Sequence, residues 1–172
     1  QGYTFLGWYY NDQKVTLTKW NIANDCDFVA HWKANEDTQY FINHYKENVN
    51  DNGFTLFETE TLYGTSDSEV ATNVKEFKGF ITPDAKKAII KPDGSTVVNY
   101  YYYRETYDVS FVTNGGNKIS TTTFKYDQNL DVEILRTGYT FGGWFTDVNL
   151  QNQYNETVKE NLMLYAYWKE EN

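Results

Sequence analysis

Cysteine and methionine each occur once in this chain of 172 residues. A lone Cys26 excludes an internal disulfide and a zinc site of the usual Cys/His spacing. It stands between Asp25 and Asp27 with no base beside it, and reads as a small, half-buried apolar residue rather than a nucleophile. Basic residues are also scarce, 15 against 24 acidic ones for a net charge of −9, and nowhere do they cluster. Nucleic acid is thereby excluded as a partner, because affinity for phosphates rests on Lys and Arg neutralising them. The scattered acidic charge reads as a solubility device. No run reaches the roughly 20 consecutive apolar residues of a membrane helix, so no membrane contact is expected from this stretch. Gly-x-Gly-x-x-Gly, P-loop and Gly-x-Ser-x-Gly patterns are missing too, which removes the common nucleotide and hydrolase signatures.

What the chain does have is aromatic side chains: 16 Tyr, 11 Phe and 5 Trp. Together with abundant Thr and Val they suit a pleated, half-buried surface, which points to strands around small aromatic cores.

A repeat organises the chain. Gly2-Tyr3-Thr4-Phe5-Leu6-Gly7-Trp8-Tyr9 returns as Gly138-Tyr139-Thr140-Phe141-Gly142-Gly143-Trp144-Phe145, and Ala30-His31-Trp32-Lys33 returns as Ala166-Tyr167-Trp168-Lys169. Both matches keep one offset, so the copies align without insertion or deletion. Three units are expected: residues 1–36 as the C-terminal part of a repeat, 37–105 as a different middle unit, and 106–172 as a complete copy of the repeat. Ala34 to Thr38 and Arg104 to Thr106 form short polar joints between them.

In the middle unit, Tyr40 to Tyr45 reads as a strand, Asn50-Asp51-Asn52-Gly53 as a turn, and Phe54 to Tyr63 as a second, alternating strand. Ser66-x-x-Glu69 has the form of a capping box, with Val70, Val74 and Phe77 behind it at helical spacing, so a short helix is predicted from Asp67 to Phe77, closed by Gly79. Ala88 to Ile90 and Ser95 to Tyr103, joined by Pro92-Asp93-Gly94, read as a hairpin. In the last unit, Tyr107 to Phe111 and Ile119 to Tyr126 flank an Asn114-Gly115-Gly116-Asn117 turn, a single helical turn is expected at Asp127-Gln128-Asn129-Leu130, and Gly138 to Phe145 and Leu162 to Trp168 are strands. The predicted fold class is α+β, dominated by strands: small β-grasp-like modules in tandem, each a mixed sheet with one short helix.

Leu62-Tyr63-Gly64-Thr65, Lys78-Gly79-Phe80 and the run from Asp93 to Tyr102 resemble the mucin-binding-protein type repeat of bacterial surface proteins. Tyr107 to Phe111, the Asn-Gly-Gly turn, Gly138-Tyr139-Thr140-Phe141-x-Gly143-Trp144 and Leu164-Tyr165-Ala166-Tyr167-Trp168 resemble the Listeria–Bacteroides repeat, the B repeat of the internalin B type. That resemblance implies a compact β-grasp-like module used in tandem on extracellular, cell-wall attached or secreted bacterial proteins. Residues 1–36 lack the hairpin that Tyr107 to Tyr126 supplies in the later copy. They are expected to pack on the middle unit or to exchange a strand with a neighbouring molecule.

Few residues offer chemistry. His31 and His44 fall in different units, and Tyr167 stands in the place of His31 in the second copy, the mark of surface variation. Glu58 and Glu60 share one strand face and read as solvated, and Asp25, Asp27 and Asp51 as turn residues. No catalytic residue, metal or cofactor is assigned, and no enzymatic activity is expected. Among the four consecutive tyrosines from Tyr100, the alternation of a strand puts Tyr100 and Tyr102 on one face and Tyr101 and Tyr103 on the other. Tyr101, Tyr102 and Tyr103 are the candidate ligand-binding residues, since exposed tyrosines stack sugars and bind proteins. The expected function is a stalk that holds a functional head away from the cell wall, each module contacting its neighbours. The alternative is an adhesin module that binds host glycan, mucin or a protein receptor.

Overall fold

Among the described residues, 13 strands carry many of the aromatic and β-branched side chains. In the computed structural model, which describes residues 1–16, 19 and 23–171, they are β1 (Tyr3–Tyr10), β2 (Gln13–Lys14), β3 (Val29–Ala34), β4 (Thr38–Glu47), β5 (Phe54–Gly64), β6 (Glu69–Ala71), β7 (Lys87–Ile89), β8 (Thr96–Tyr102), β9 (Thr106–Val112), β10 (Thr122–Lys125), β11 (Tyr139–Phe145), β12 (Gln153–Tyr154) and β13 (Leu162–Glu170). They form four sheets, with strand orders β2-β1-β3, β5-β4-β8, β6-β7 and β10-β9-β13-β11-β12. The residues fall into two compact units. One comprises Gln1–Tyr45, Leu56–Val74 and Asp84–Tyr100, and the other Lys46–Thr55, Lys75–Pro83 and Tyr101–Asn172.

No helix occurs among the described residues, and the fold is all-β rather than α+β. The helix expected from Asp67 to Phe77 is replaced by β6 and a run that belongs to no helix or strand. Asp67 sits at a φ of 59°, outside the helical region. The Ser66 hydroxyl, the supposed cap, is spent on Thr38 Oγ1 at 2.7 Å. The β-branched residues Val70, Thr72 and Val74 recur every second position, a strand period that outweighed the helical one. The same competition decided the expected turn of helix near Asp127, whose φ is 65°. Beyond it Leu130, Val132 and Ile134 alternate in backbone that belongs to no helix or strand, Ile134 within the core of the last sheet and Leu130 and Val132 packed against it.

The expected hairpin of Ala88 to Tyr103 is also corrected. Its turn forms, with Gly94 N donating to Lys91 O at 3.0 Å. The flanking strands then part, β7 pairing with β6 and β8 with β4. Thr96 accounts for the split: its Oγ1 accepts from Lys91 N at 2.7 Å and donates to Ile89 O at 3.1 Å, taking main-chain groups that a ladder would use.

The first unit is built around alternate residues of β4 and β8. Tyr40, Ile42 and His44 point inward from one, and Val98 and Tyr100 from the other, with Ile90 beside them. The hydroxyl of the buried Tyr100 is satisfied, accepting from Lys86 N at 2.8 Å and donating to Thr72 O at 3.2 Å. His44 is buried with its Nε2 2.7 Å from Glu60 Oε1, so Glu60 serves an inward face and not the solvated one expected.

In the second unit β9 runs parallel to β13, and the remaining neighbours of that sheet are antiparallel. Val109, Phe124, Ile134, Trp144, Val158, Leu164, Ala166 and Trp168 form its core. The hairpin of β9 and β10 closes one face over Trp144, whose ring centroid lies 4.9 Å from that of Phe111. Trp168 donates its indole N–H to Thr113 O at 2.8 Å in the hairpin turn.

The two copies of the repeat share backbone detail. Tyr3, Phe5, Gly7 and Trp8 pair with Ala34, Trp32, His31 and Ala30, and Tyr139, Phe141, Gly143 and Trp144 pair with Glu170, Trp168, Tyr167 and Ala166. A β-bulge falls between Phe5 and Gly7 in one copy and between Phe141 and Gly143 in the other. The next turn differs. Asn11 and Asp12, both at positive φ, make a two-residue hairpin after Tyr10, whereas Phe145 pairs with Gln153 across a longer loop.

Candidate functional site

Three places are candidates for function: the tyrosine run, the two joints, and the exposed aromatic residues of the first repeat. Along the run the strand alternation holds, leaving Tyr101 and Tyr103 exposed and Tyr100 and Tyr102 buried. Phe54 stands between the two exposed rings, edge-to-face with Tyr101 at 5.0 Å and with Tyr103 at 5.1 Å. The result is a surface ladder of three rings. Tyr102, the third candidate, lies inside. Its hydroxyl accepts from Lys75 N at 3.0 Å and its ring meets Phe77 edge-on at 4.9 Å. The part played by Phe54 was missed from sequence, although its place at the start of an alternating strand was readable.

On the Phe77 ring that packs against Tyr102, the Lys46 ammonium sits 3.7 Å from the centroid. Burial, helped by the Arg104 guanidinium, holds it below the usual lysine range.

The joints are tied down. In the first unit Asn35 N donates to Gly2 O at 2.9 Å, Ser66 N donates to Asn35 O at 2.9 Å, and Thr4 Oγ1 donates to Asn35 Oδ1 at 2.7 Å. In the second unit the backbone N of Arg104 donates to Glu47 Oε2 at 2.8 Å, its Nε to Glu47 O at 2.9 Å, and its guanidinium to Tyr126 O at 2.8 Å. Lys125 closes the group with an ion pair to Glu47 Oε1 at 2.8 Å. Glu105 N donates to Gly79 O, and Tyr126 N donates to Glu105 O. Neither joint is a loose polar linker.

In the first repeat, Phe5, Trp8, Val29 and Trp32 are exposed. His31 stacks on Tyr9 at 3.9 Å, and Tyr9, Asp12, Asp25, Cys26, Asp27 and His31 border an open cleft of about 410 Å³. Among the described residues, no group of three or more His, Cys, Asp or Glu is placed to hold a metal ion. Asp51, expected as a turn residue, accepts from Asn48 Nδ2 at 2.8 Å and from Gly53 N at 2.6 Å.

Two proteins of Evansella cellulosilytica resemble nearly the whole chain. One, named "Putative Gly-rich membrane protein", is 27% identical over 98% of the chain. The other, named "Putative membrane protein", is 26% identical over 98% of it. The chain spans 21% of the length of the first and 27% of the second, about a fifth to a quarter of each. No helix among the described residues is long and apolar enough to cross a membrane. These relatives fit a protein associated with the bacterial cell envelope. Residues 107–167 match the family model of the Listeria-Bacteroides repeat domain.

Proposed function

We propose that the chain is a spacer segment of a bacterial cell-envelope protein, whose repeats in tandem hold a functional head away from the wall. The observation that carries this reading is the pair of tied joints. A stalk works by keeping direction from module to module, and a chain that is hydrogen-bonded where it passes from one sequence unit to the next resists swivelling. The register shared by the two copies supports it further, since an array of like modules repeats its geometry.

Small-angle scattering tests the reading on chains extended by one and two further copies of residues 37–172. The maximum dimension is expected to grow in proportion to the number of copies. Growth of the radius of gyration with roughly the 0.38 power of chain length, as in a compact domain, would overturn it.

The ladder of Tyr101, Phe54 and Tyr103 favours a second reading, adhesion to host glycan, mucin or a protein receptor. The resemblance of residues 37–105 to mucin-binding repeats points the same way. On a glycan and mucin array, saturable binding that Tyr103→Ala abolishes supports an adhesin. Absence of binding at high protein concentration removes it.

A further inference from the structure

We infer that Asn52 is a site of spontaneous deamidation, its side chain closing on the Gly53 nitrogen with the Asp51 carboxylate as base, so that the turn between β4 and β5 carries a slow, irreversible modification. The inference stands whether or not the spacer reading does.

An asparagine followed by glycine is open to this reaction because no Cβ on the second residue screens the attacking nitrogen. The chain has two such pairs, Asn52-Gly53 and Asn114-Gly115, and the structure treats them differently. Asn114 is tied down: its Nδ2 donates to Ala166 O at 2.7 Å, and its main-chain O accepts from Arg136 Nη1 at 3.1 Å. Its amide must leave Ala166 before Cγ can meet the next nitrogen. Asn52 is exposed, and among the described residues its side chain makes no hydrogen bond.

A base stands beside the second pair of atoms. Gly53 N donates to Asp51 Oδ1 at 2.6 Å, within the reach required of a group that takes up a proton. The Asn48 amide, together with that Gly53 N–H, holds the Asp51 carboxyl below the usual aspartate range, so it is ionised and ready to accept at neutral pH. In the reaction the Gly53 nitrogen gives its proton to Asp51 and bonds to Asn52 Cγ. The Cγ–Nδ2 bond breaks, and Nδ2 leaves as ammonia with the proton returned from Asp51. One water then opens the five-membered imide. Attack at Cγ leaves aspartate at position 52, and attack at the main-chain carbonyl leaves isoaspartate, with no change of oxidation state in either case.

Both products add a negative charge, and isoaspartate also adds a methylene to the backbone of the turn. That turn closes through Asn48 N, which donates to Gly53 O at 2.9 Å. Its carbonyls Asp51 O and Asn48 O receive Lys125 Nζ at 2.8 and 3.4 Å. A longer backbone between Asp51 and Gly53 draws these groups out of line, so the modification acts on the contact that Lys125 makes with the turn.

The test ages the full chain at neutral pH and body temperature and follows each asparagine by peptide mapping, with an isoaspartyl methyltransferase to mark isoaspartate. Expected are loss of Asn52 to both products and a loss at Asn114 slower by about tenfold or more, the rate equivalent of one hydrogen bond that must break first. In urea the two sites should react alike. Asp51→Ser, which keeps an oxygen for Gly53 N but removes the base, should slow the loss of Asn52 by about tenfold or more. Three results would overturn the inference: Asn52 intact in the folded chain while it reacts in urea, Asn114 lost as fast as Asn52, or an unchanged or faster reaction in Asp51→Ser. The last would make the carboxylate a restraint on Gly53 N and not its base.

Discussion

Trp8 and Trp144 hold the same position in the same register, one opposite Ala30 and the other opposite Ala166, yet Trp8 is 51% exposed and Trp144 6%. Local sequence and strand pairing are alike, so the difference comes from what covers each ring. Over Trp144 lie Phe111 and the other residues of the last core.

The two tryptophans should therefore differ in energy. Trp144→Ala removes a buried ring and leaves a cavity, and is expected to cost about 3–5 kcal/mol. Trp8→Ala gives up a ring already half in water and should cost about 1 kcal/mol or less. Urea unfolding of both variants checks this, and equal losses would refute the assignment of the burial to the hairpin.

Glu47 should be the residue on which the second joint depends. Its side chain is 11% exposed, and it serves both Lys125 and the backbone N of Arg104. Glu47→Ala leaves the Arg104 N–H without its acceptor and Lys125 with the carbonyls of Asp51 and Asn48 alone, and is expected to cost about 2–4 kcal/mol. Hydrogen exchange at the Arg104 amide should quicken in the same variant. An unchanged rate would mean that the joint is held by other contacts.

Gly79 and Gly138 separate backbone strain from crowding, because both have a φ of 78°. A Cβ on Gly138 meets nothing within 4 Å, whereas one on Gly79 would land in the Tyr126 ring. Gly138→Ala should therefore cost about 1–2 kcal/mol, the strain of the left-handed region alone. Gly79→Ala should cost more, since Tyr126 is buried and must move. Thermal unfolding of the two variants reports the difference, and a larger loss for Gly138→Ala would contradict it.

The repeat and its strands were legible because they are written in local pattern. Gly-Tyr-x-Phe and Ala-x-Trp recur at a fixed offset, and alternation within the Tyr100 to Tyr103 run sorted its faces correctly. The segment after Gly64 misled because two periods overlap there. Val70, Val74 and Phe77 fit a helix, Val70, Thr72 and Val74 fit a strand, and pairing with Lys87–Ile89 chose the second. That choice is made by a partner distant in sequence, which no window around Ser66 contains. The His44–Glu60 contact and the place of Phe54 between Tyr101 and Tyr103 likewise depend on strand neighbours and not on spacing. The joints read from sequence as short, polar segments with little room to swing. The hydrogen bonds that hold them come from residues distant in sequence, such as Gly2, Glu47 and Tyr126, which the joints' own composition cannot express.

Acid should loosen the turn that follows β11 before it touches the cores. Asp147 accepts from the backbone N of Asn152 at 2.7 Å and from the N of Gln151 and Asn149, and these bonds hold its carboxyl below the usual aspartate range. A depressed folded-state pKa means that the carboxylate contributes to stability above the ordinary aspartate value of about 3.9, and that this contribution disappears as pH falls through the lower folded value. Asp51 and Asp93 are shifted in the same direction, Asp51 chiefly by Asn48 and Gly53, and Asp93 by Ser95. All three lie at the surface, so the effect is local and screened by salt. In an NMR titration the Asn152 amide resonance should move with a midpoint below about 3.9, and Asp147→Asn should abolish that movement while leaving the Trp144 signals in place. A midpoint at or above the ordinary value would show that the backbone donors do not favour the ionised carboxylate.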